Sequence, residues 1–400
     1  MSLRITDAGL NRQMLADLQR TQTTIAETQL QIGSGTRVNK PSDDPGAIAR
    51  LVDIEATQGR IDQYSRNADA AESRLVLEET ALSSAIETIS RLRELAVQAN
   101  NDTMDDAGRT AIATEVAERL GELYEAANSR DAAGEYLFAG SQGSVRPFAP
   151  GSADKWSGNE VARELPITLN RTIKSGDFGA DAFLRIPAGN GTFAVGSNPA
   201  NTGTAVINTG SLNDSALFTA HDYEIQFTTA TTYDVVDLDT GTTVVAGAAY
   251  TTEDPIIFDG IDTYISGRPA AGDTFQIVSG QQEDVFTTAS GFADALKQPF
   301  TNATERAATR QLIDNALSGF NQSLESLSTV RSRIGARLQV VETSRSENDA
   351  VNIQLEHTRS DLEDTDMTEA VVRLENQSTT LELLYKSFQR VDSLSLFDYL

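Results

Sequence analysis

The sequence has no cysteine and only two histidines, His221 and His357. Without cysteine there can be no disulfide, no thiol nucleophile and no thiolate metal ligand, and two histidines leave little for a metal site or an acid–base pair. The motifs His-Glu-x-x-His and Gly-x-Ser-x-Gly, which are typical of metalloproteases and serine hydrolases, do not occur either. We therefore predict no catalytic residues, no metal site and no cofactor, and we expect that the protein is not an enzyme.

Basic residues are also scarce: 32 Lys and Arg stand against 58 Asp and Glu, which gives a formal charge of −26. Such a chain repels the phosphates of nucleic acids and anionic lipids, so we expect neither nucleic acid nor membrane as a partner. No apolar run is long enough to span a bilayer. The first residues, Met1 to Asp7, lack the apolar core of a signal peptide, so we expect any export to proceed without a cleaved signal.

Proline and glycine divide the chain into three zones. Residues 1 to about 140 contain only two prolines, Pro41 and Pro45, and are rich in good helix formers. Residues 141–290 are rich in Gly, Thr, Asp and Pro, and the helical composition returns from residue 291. This order predicts an α+β fold in which both chain ends form a long, coiled-coil-like helical bundle and the β-rich middle is an insertion.

Apolar residues in the helical zones recur with an average spacing of 3.5, which is typical of helices that wrap around one another. Two such rows precede residue 100, and Glu78 is the one polar residue in them: Ile61, Ala68, Leu75, Leu82, Ile89 and Ala96, then Tyr64, Ala71, Glu78, Ala85, Leu92 and Ala99. A third predicted helix carries Ile112, Val116, Leu120, Leu123 and Ala127. A further stripe follows residue 310: Ile313, Leu317, Phe320, Leu324, Leu327, Ile334, Leu338 and Val341.

The two extreme ends of the chain carry apolar rows of their own, which we predict to form an assembly interface. The charge of residues 1–40 is +2 and that of residues 361–400 is −6, so the two ends attract each other. Two short helices can bury only part of such rows in a pair, which favours contacts between molecules over contacts within one. The predicted interface residues are Leu18, Ile25, Ile32, Leu374, Leu381, Leu384, Phe388, Val391, Leu396, Phe397 and Leu400.

A helix-start motif, Pro41-Ser42-Asp43-Asp44-Pro45, follows the end segment. Asp44 is placed as an N-cap and Pro45 as the first helical residue, while Asp43 and Asp44 lie at the positive end of the helix dipole. This interpretation is preferred over a catalytic carboxylate pair because no histidine lies nearby. We predict three domains: an inner segment of residues 1–40 plus 366–400, a helical rod of 41–140 plus 291–365, and a β-rich outer domain of 141–290.

The middle zone contains alternating segments typical of strands. Tyr223–Phe227, Thr232–Val236 and Thr242–Val245 predict strands, the last two joined by an Asp-Thr-Gly turn, and further strands are predicted within 254–261 and 273–278. Asp237, Asp239 and Gly241 fit a turn better than a calcium loop, because Ala248 stands where the loop needs a glutamate. Trp156 is predicted to pack at the root of the domain.

Two segments at opposite ends of the chain, Gln31–Pro45 and Ser360–Ala370, resemble the paired signatures of the flagellin superfamily. Within it, Pro41–Pro45, Gly134–Ser141 and Leu394–Leu400 resemble the family of hook-associated protein type 3, the hook–filament junction proteins, more than filament flagellins. The segment from His221 to Phe227 is similar to modules of hook-associated proteins.

The resemblance implies a secreted structural subunit of the bacterial flagellum, exported by the type III route with an export chaperone. It further implies a ring of copies that joins hook-associated protein type 1 to flagellin, by folding of the terminal helices on assembly, and so serves motility. The alternative is filament flagellin itself. A less favoured alternative is an axial subunit whose middle domain binds glycans.

Overall fold

The structure, a computed structural model, describes residues 7–101, 104–151 and 156–397, with backbone alone for residues 7, 8, 10, 11 and 391–397. The described residues form six α-helices: α1 (Asp7–Ser34), α2 (Pro45–Ala99), α3 (Asp106–Ala127), α4 (Val285–Lys297), α5 (Ala303–Glu363) and α6 (Met367–Phe397). None of these helices is both long and apolar enough to cross a membrane.

The chain divides into two compact units. The terminal unit consists of the described residues up to Arg66 together with those from Ser344 onward, and the central unit is Asn67–Thr343. Helices α2 and α5 contribute residues to both. The three predicted domains divide the chain at other positions and stay a prediction.

The helical part of the central unit has a continuous apolar core, built from the rows that the spacing of 3.5 predicted. Leu75, Leu82, Ile89 and Leu92 of α2 are fully buried, as is Phe320 of α5. Helices α3 and α4 pack against each other and add their apolar faces to this core. Trp156 packs against it too and donates from Nε1 to the carbonyl of Phe138 at 3.1 Å, as predicted for the root of the domain.

The middle of the central unit is β-rich, with a one-turn π-helix at Ala180–Leu184. A five-stranded antiparallel sheet has the order β4-β12-β7-β8-β9. A second sheet pairs β11 with β10, β5 and β6, while β1 pairs with β2 and β3 with β13. The strands are β1 (Glu164–Thr168), β2 (Arg171–Lys174), β3 (Ile186–Pro187), β4 (Phe193–Ser197), β5 (Val206–Ile207), β6 (Ser211–Leu212), β7 (Tyr223–Thr229), β8 (Thr232–Asp237), β9 (Thr243–Ala249), β10 (Pro255–Phe258), β11 (Ile261–Ser266), β12 (Thr274–Ser279) and β13 (Gln282–Glu283).

The sheets enclose a second core, and the alternation seen in the sequence decides which side chains enter it. Tyr223, Ile225 and Phe227 of β7 are buried, while the residues between them are half-buried. The helix-rich, β-inserted α+β fold predicted from the sequence is confirmed. The strands predicted at 223–227, 232–236 and 273–278 are present within two residues. The strand predicted at 242–245 continues to Ala249, and the segment 254–261 contains β10, a turn and the first residue of β11. The second helical zone begins at Val285 and not at residue 291 as predicted, because Asp284 caps α4 by accepting a hydrogen bond from the amide of Thr287.

Candidate assembly interface

In the terminal unit α1 packs against α6 within one molecule. The pairing expected from the opposite charges of the two chain ends is therefore present, but it lies within the chain, whereas the apolar rows were expected to favour contacts between molecules. Leu18 is 7% exposed, and Ile25 and Ile32 are half-buried. On α6, Ala370 is buried, and four predicted residues at spacings of seven, three and four are half-buried: Leu374, Leu381, Leu384 and Phe388. The two rows therefore form one seam inside the chain.

Polar contacts fix the register of this helix pair. The hydroxyl of Thr28, which is 3% exposed, donates to Oε1 of Gln377 at 3.0 Å. Gln22 donates from Nε2 to the hydroxyl of Tyr385 at 2.9 Å. Of these side chains only Thr28 is buried, and a buried polar side chain that finds its partner in one register specifies alignment at little gain in stability.

The remaining predicted residues cannot be placed in the seam. Val391, Leu396 and Phe397 belong to α6, but their side chains lie outside the described residues. Leu400 lies outside the described residues altogether.

The same two helices expose other large apolar side chains, which the search for heptads missed. Leu15 and Leu30 of α1 are about half exposed, as are Val371 and Val372 of α6, and Leu383 is 61% exposed. These residues lie off the rows that step by seven. The adjacent valines Val371 and Val372 were a signal in the sequence for a second apolar surface, because two neighbouring helical residues cannot face the same seam.

The two signature segments bond directly to each other, an arrangement we call the signature clamp (Gly35–Arg37 with Leu362–Thr365). Thr36 and Asp364 form an antiparallel bridge. The amide of Arg37 donates to the carbonyl of Glu363 at 2.7 Å, and that of Thr365 donates to the carbonyl of Gly35 at 2.9 Å. Arg37 also donates from Nη2 to the carbonyl of Leu362 at 2.8 Å. The clamp therefore joins the segment that links α1 to α2 to the segment that links α5 to α6.

The conformation of the first segment follows from its residues. Gly35 has φ +76°, in the left-handed region that favours glycine, and it follows the end of α1. The carboxylate of Asp43 accepts from the amides of Asn39 and Lys40 at 3.1 and 2.9 Å, which closes the exposed turn that contains Pro41.

The last two residues of the helix-start motif set the first turn of α2, which begins at Pro45. Oδ1 of Asp44 accepts from the amide of Ala47 at 2.9 Å, the geometry of an N-cap. This hydrogen bond is the main reason that the pKa of Asp44 lies below its usual value, and the guanidinium of Arg37 adds to the effect.

One further group of titratable side chains lies in the β-rich part, where His221, Asp237 and Asp239 come close together. Nδ1 of His221 lies 2.8 Å from Oδ2 of Asp237, and this contact raises the pKa of the histidine. Oδ1 of Asp237 accepts from the amides of Asp239 and Thr240 at 2.9 and 3.0 Å. Burial acts to raise the pKa of Asp237, but these amides and His221 lower it to about 2. The arrangement is that of the predicted turn, closed by the contact between His221 and Asp237.

Comparison with known proteins relates both parts of the chain to flagellar proteins. Residues 5–143 match the family described as bacterial flagellin N-terminal helical region, and residues 196–279 match the D2-like domain of flagellar hook-associated protein 1. The chain is 30% identical over 184 residues to flagellar hook-associated protein 3 of Salmonella typhimurium, a match that covers 46% of this chain and 58% of that protein, less than two thirds of its length.

A solved structure extends this similarity. The crystal structure of Xanthomonas campestris FlgL is 30% identical, with a TM-score of 0.72, and the match covers 77% of this chain and 99% of that one. A flagellin from Clostridium tyrobutyricum is 32% identical, but over only 28% of this chain and 29% of that protein.

Paired terminal helices, the signature clamp and these matches define a protein of the flagellin superfamily. More narrowly, the chain belongs to the family of flagellar hook-associated protein 3, or FlgL. Its relatives are structural components of the bacterial flagellum, which confirms the prediction that it is not an enzyme. The expected absence of metal and cofactor stays a prediction.

Proposed function

We propose that this protein is the structural adaptor at the hook–filament junction of the bacterial flagellum. The observation that carries the proposal is the similarity to a FlgL crystal structure, which covers 77% of this chain and 99% of that one, against a flagellin match that covers about a quarter of the chain. In this role, copies of the chain form a ring with hook-associated protein type 1 on one side and flagellin on the other. The chain reaches that place by type III export, without a cleaved signal and with an export chaperone.

The contacts that hold the ring are assigned to the terminal unit. The seam between α1 and α6 covers Leu18 and half-covers its neighbours, so these residues hold the two ends of one chain together. The exposed residues Leu15, Leu30, Val371, Val372 and Leu383 remain for contacts with neighbouring molecules. Both sets of residues therefore serve assembly, one within the chain and one between chains.

The energetics favour coupling between folding of the helix pair and assembly. Burying one large apolar side chain stabilises a contact by about 1.5–3 kcal/mol. A helix pair that leaves five such side chains at least about half exposed is only weakly stabilised alone and gains most of its stability when a neighbour covers them.

The first experiment is immunogold electron microscopy of isolated flagella with an antibody against residues 190–280. A single band of label where the hook meets the filament is the expected result. Label along the whole filament would instead assign the chain to flagellin, and unlabelled flagella would contradict both assignments. Flagella from a strain that lacks the protein provide the background.

A further inference from the structure

The segment that follows β2 packs against α2 through a buried carboxyl group whose hydrogen bonding is incomplete. The side chain of Glu78 is fully buried, and its Oε1 accepts from the amide of Asp177 at 2.8 Å. Among the residues that the structure describes, Oε2 of Glu78 has no hydrogen-bond partner. A buried carboxyl oxygen without a partner is rare, because it loses its hydrogen bonds to solvent and gains none in the protein. Such an oxygen normally has a ligand or a water as its partner.

A space for that partner lies beside Gly176, at the end of this segment. A Cβ atom added to the glycine would lie 3.5 Å from Oε2 of Glu78, 3.7 Å from Nε of Arg74 and 3.8 Å from the carbonyl oxygen of Leu137. A water oxygen keeps about 3.3–3.6 Å from a Cα atom, so it would lie about 2 Å farther out than a Cβ atom and closer to these three polar atoms. The φ angle of Gly176 is not positive, so the backbone does not require glycine here.

Arg74 provides a hydrogen-bond donor at this space. The residue is 7% exposed, and it donates from Nη1 to the carboxylate of Asp131. Its Nη2 donates to the carbonyls of Tyr136 and Leu137 at 3.0 and 3.4 Å. These bonds leave the N–H group at Nε for another acceptor, and the carbonyl of Leu137 has a second lone pair. The space is therefore bordered by one donor, Nε of Arg74, and by two oxygen atoms.

The charges around the space favour a neutral ligand over an ion. The network of charged side chains there has basic and acidic members in equal number: Arg74, Arg163, Arg333 and Arg337, and Glu78, Asp131, Glu135 and Asp177. Each of the four guanidinium groups is paired with a carboxylate, so none requires a further anion. An anion in the space would lie against the carbonyl oxygen of Leu137, and a cation would lie against the guanidinium of Arg74. Water can donate to an ionised Glu78 and accept from a protonated one, so it fits both states.

We propose that one water molecule is bound beside Gly176 as a permanent part of the fold. It accepts from Nε of Arg74, donates to the carbonyl of Leu137 and completes the hydrogen bonding of Glu78. It thereby joins α2 to the segment between α3 and β1 and to the segment that follows β2. A buried polar space holds water when two to four polar atoms surround it, which is the case here. The site explains why residue 176 has no side chain, and the inference does not depend on the proposed function.

Two substitutions in the full-length protein separate a bound water from a purely steric need for glycine. Gly176→Ala places a methyl group in the space at ordinary contact distances, excludes the water and supplies no hydrogen bond. Gly176→Ser is larger, but its hydroxyl extends to the position of the water oxygen and can both donate and accept. We expect the folding equilibrium constant to fall by about tenfold or more in Gly176→Ala and by less than about threefold in Gly176→Ser. Urea unfolding followed by the fluorescence of Trp156, which lies in the same unit, measures both.

Gly196 on β4 provides the matched control, because a Cβ atom there would meet no described atom within 4 Å and its φ angle is not positive. Gly196→Ala and Gly196→Ser should differ from each other by less than about threefold in folding equilibrium constant. A steric need for glycine at residue 176 predicts that the larger serine is tolerated no better than alanine. Equal losses in the two Gly176 variants, or a larger loss in Gly176→Ser, would therefore overturn the proposal.

A crystal structure of the wild-type protein that resolves ordered waters identifies the occupant directly. We expect one density peak within hydrogen-bond distance of Oε2 of Glu78, Nε of Arg74 and the carbonyl of Leu137, and no such peak in Gly176→Ala. A direct hydrogen bond between Arg74 and Glu78 with no peak between them would overturn the proposal, and so would a peak with the scattering of an ion.

Discussion

Glu78 shows how one polar residue acts inside an apolar row. It is fully buried, its Oε1 accepts from the amide of Asp177 at 2.8 Å, and its Oε2 has no hydrogen-bond partner within the described chain. Burial, and then the carboxylate of Asp177, raise the pKa of Glu78 to about 8, although Arg337 and Arg74 oppose them. Glu78 is therefore mostly protonated at neutral pH, and it holds the segment after β2 against α2.

The raised pKa predicts a specific dependence of stability on pH. Since the pKa of Glu78 is higher in the folded chain than its ordinary value of 4.5, the protonated side chain contributes stability below pH 4.5, and this is lost as the pH rises through about 8. Glu78→Gln keeps the neutral form, so its unfolding free energy relative to wild type should rise by about 3–4 kcal/mol between about pH 5 and about pH 8. Urea unfolding, followed by the fluorescence of Trp156, measures this free energy. Trp156 is the single tryptophan, and it lies in the central unit together with Glu78. A difference that is independent of pH would contradict the assignment.

Leu383 tests the contacts between molecules. It is 61% exposed on α6, so Leu383→Asp should leave the isolated protein folded. The variant should not be incorporated into flagella, because burying a carboxylate at a subunit contact costs several kcal/mol, about as much free energy as the contact contributes. Motility of a complemented deletion strain and the circular dichroism of the purified chain are the two readouts.

Ser378→Asp is the matched control for that variant, since it adds the same charge at an exposed position on another face of the same helix. Leu383→Met should restore motility. Normal motility with Leu383→Asp would show that this side chain does not contribute to a contact between molecules.

At the scale of elements, the signature clamp depends on the conformation of Gly35. A side chain added at Gly33 or at Gly35 would meet no atom within 4 Å, yet the two differ in backbone, since only Gly35 has a positive φ. Gly35→Ala should therefore cost about 1 kcal/mol through strain alone, and Gly33→Ala should be neutral or stabilising by up to about 1 kcal/mol. Hydrogen exchange at the amides of Arg37 and Thr365 reports on the clamp. Faster exchange in Gly35→Ala but not in Gly33→Ala is expected, and equal rates in the two variants would contradict it.

The elements that could be predicted from sequence are those whose pattern repeats along one segment. The heptad rows of α2, α3 and α5 and the alternation in β7 are local, and burial follows them closely. The hairpin of β1 and β2 was missed because each strand is short and buries only Ile167 or Ile173. The clamp could not be predicted, because the two segments that form it are more than 300 residues apart in sequence.

At the scale of the whole molecule, the chain forms two compact units, so we predict that truncation of the terminal unit leaves the stability of the central unit unchanged. Removing residues 374–400 deletes most of α6, and with it the seam partner of α1, but touches no residue of the central unit. We expect the Trp156 unfolding midpoint to stay unchanged while filaments no longer attach to hooks. Purified truncated chain tested for unfolding, and a complemented deletion strain examined by electron microscopy, provide the two measurements. Normal filaments on the truncated chain would contradict the role of the helix pair.

The signature clamp also sets an order of events as the chain is made. Arg37 and Leu362, which it joins, are 325 residues apart, whereas the central unit is one continuous stretch, Asn67–Thr343. On a chain that emerges from its N-terminus, every contact of the central unit can therefore form before the clamp, because Thr343, its last residue, emerges before Leu362. Until residue 365 has emerged, α1 has no helix to pair with. The clamp can thus close only after residue 365 has emerged. A chain that ends before residue 362 can form neither the clamp nor the pair of α1 and α6.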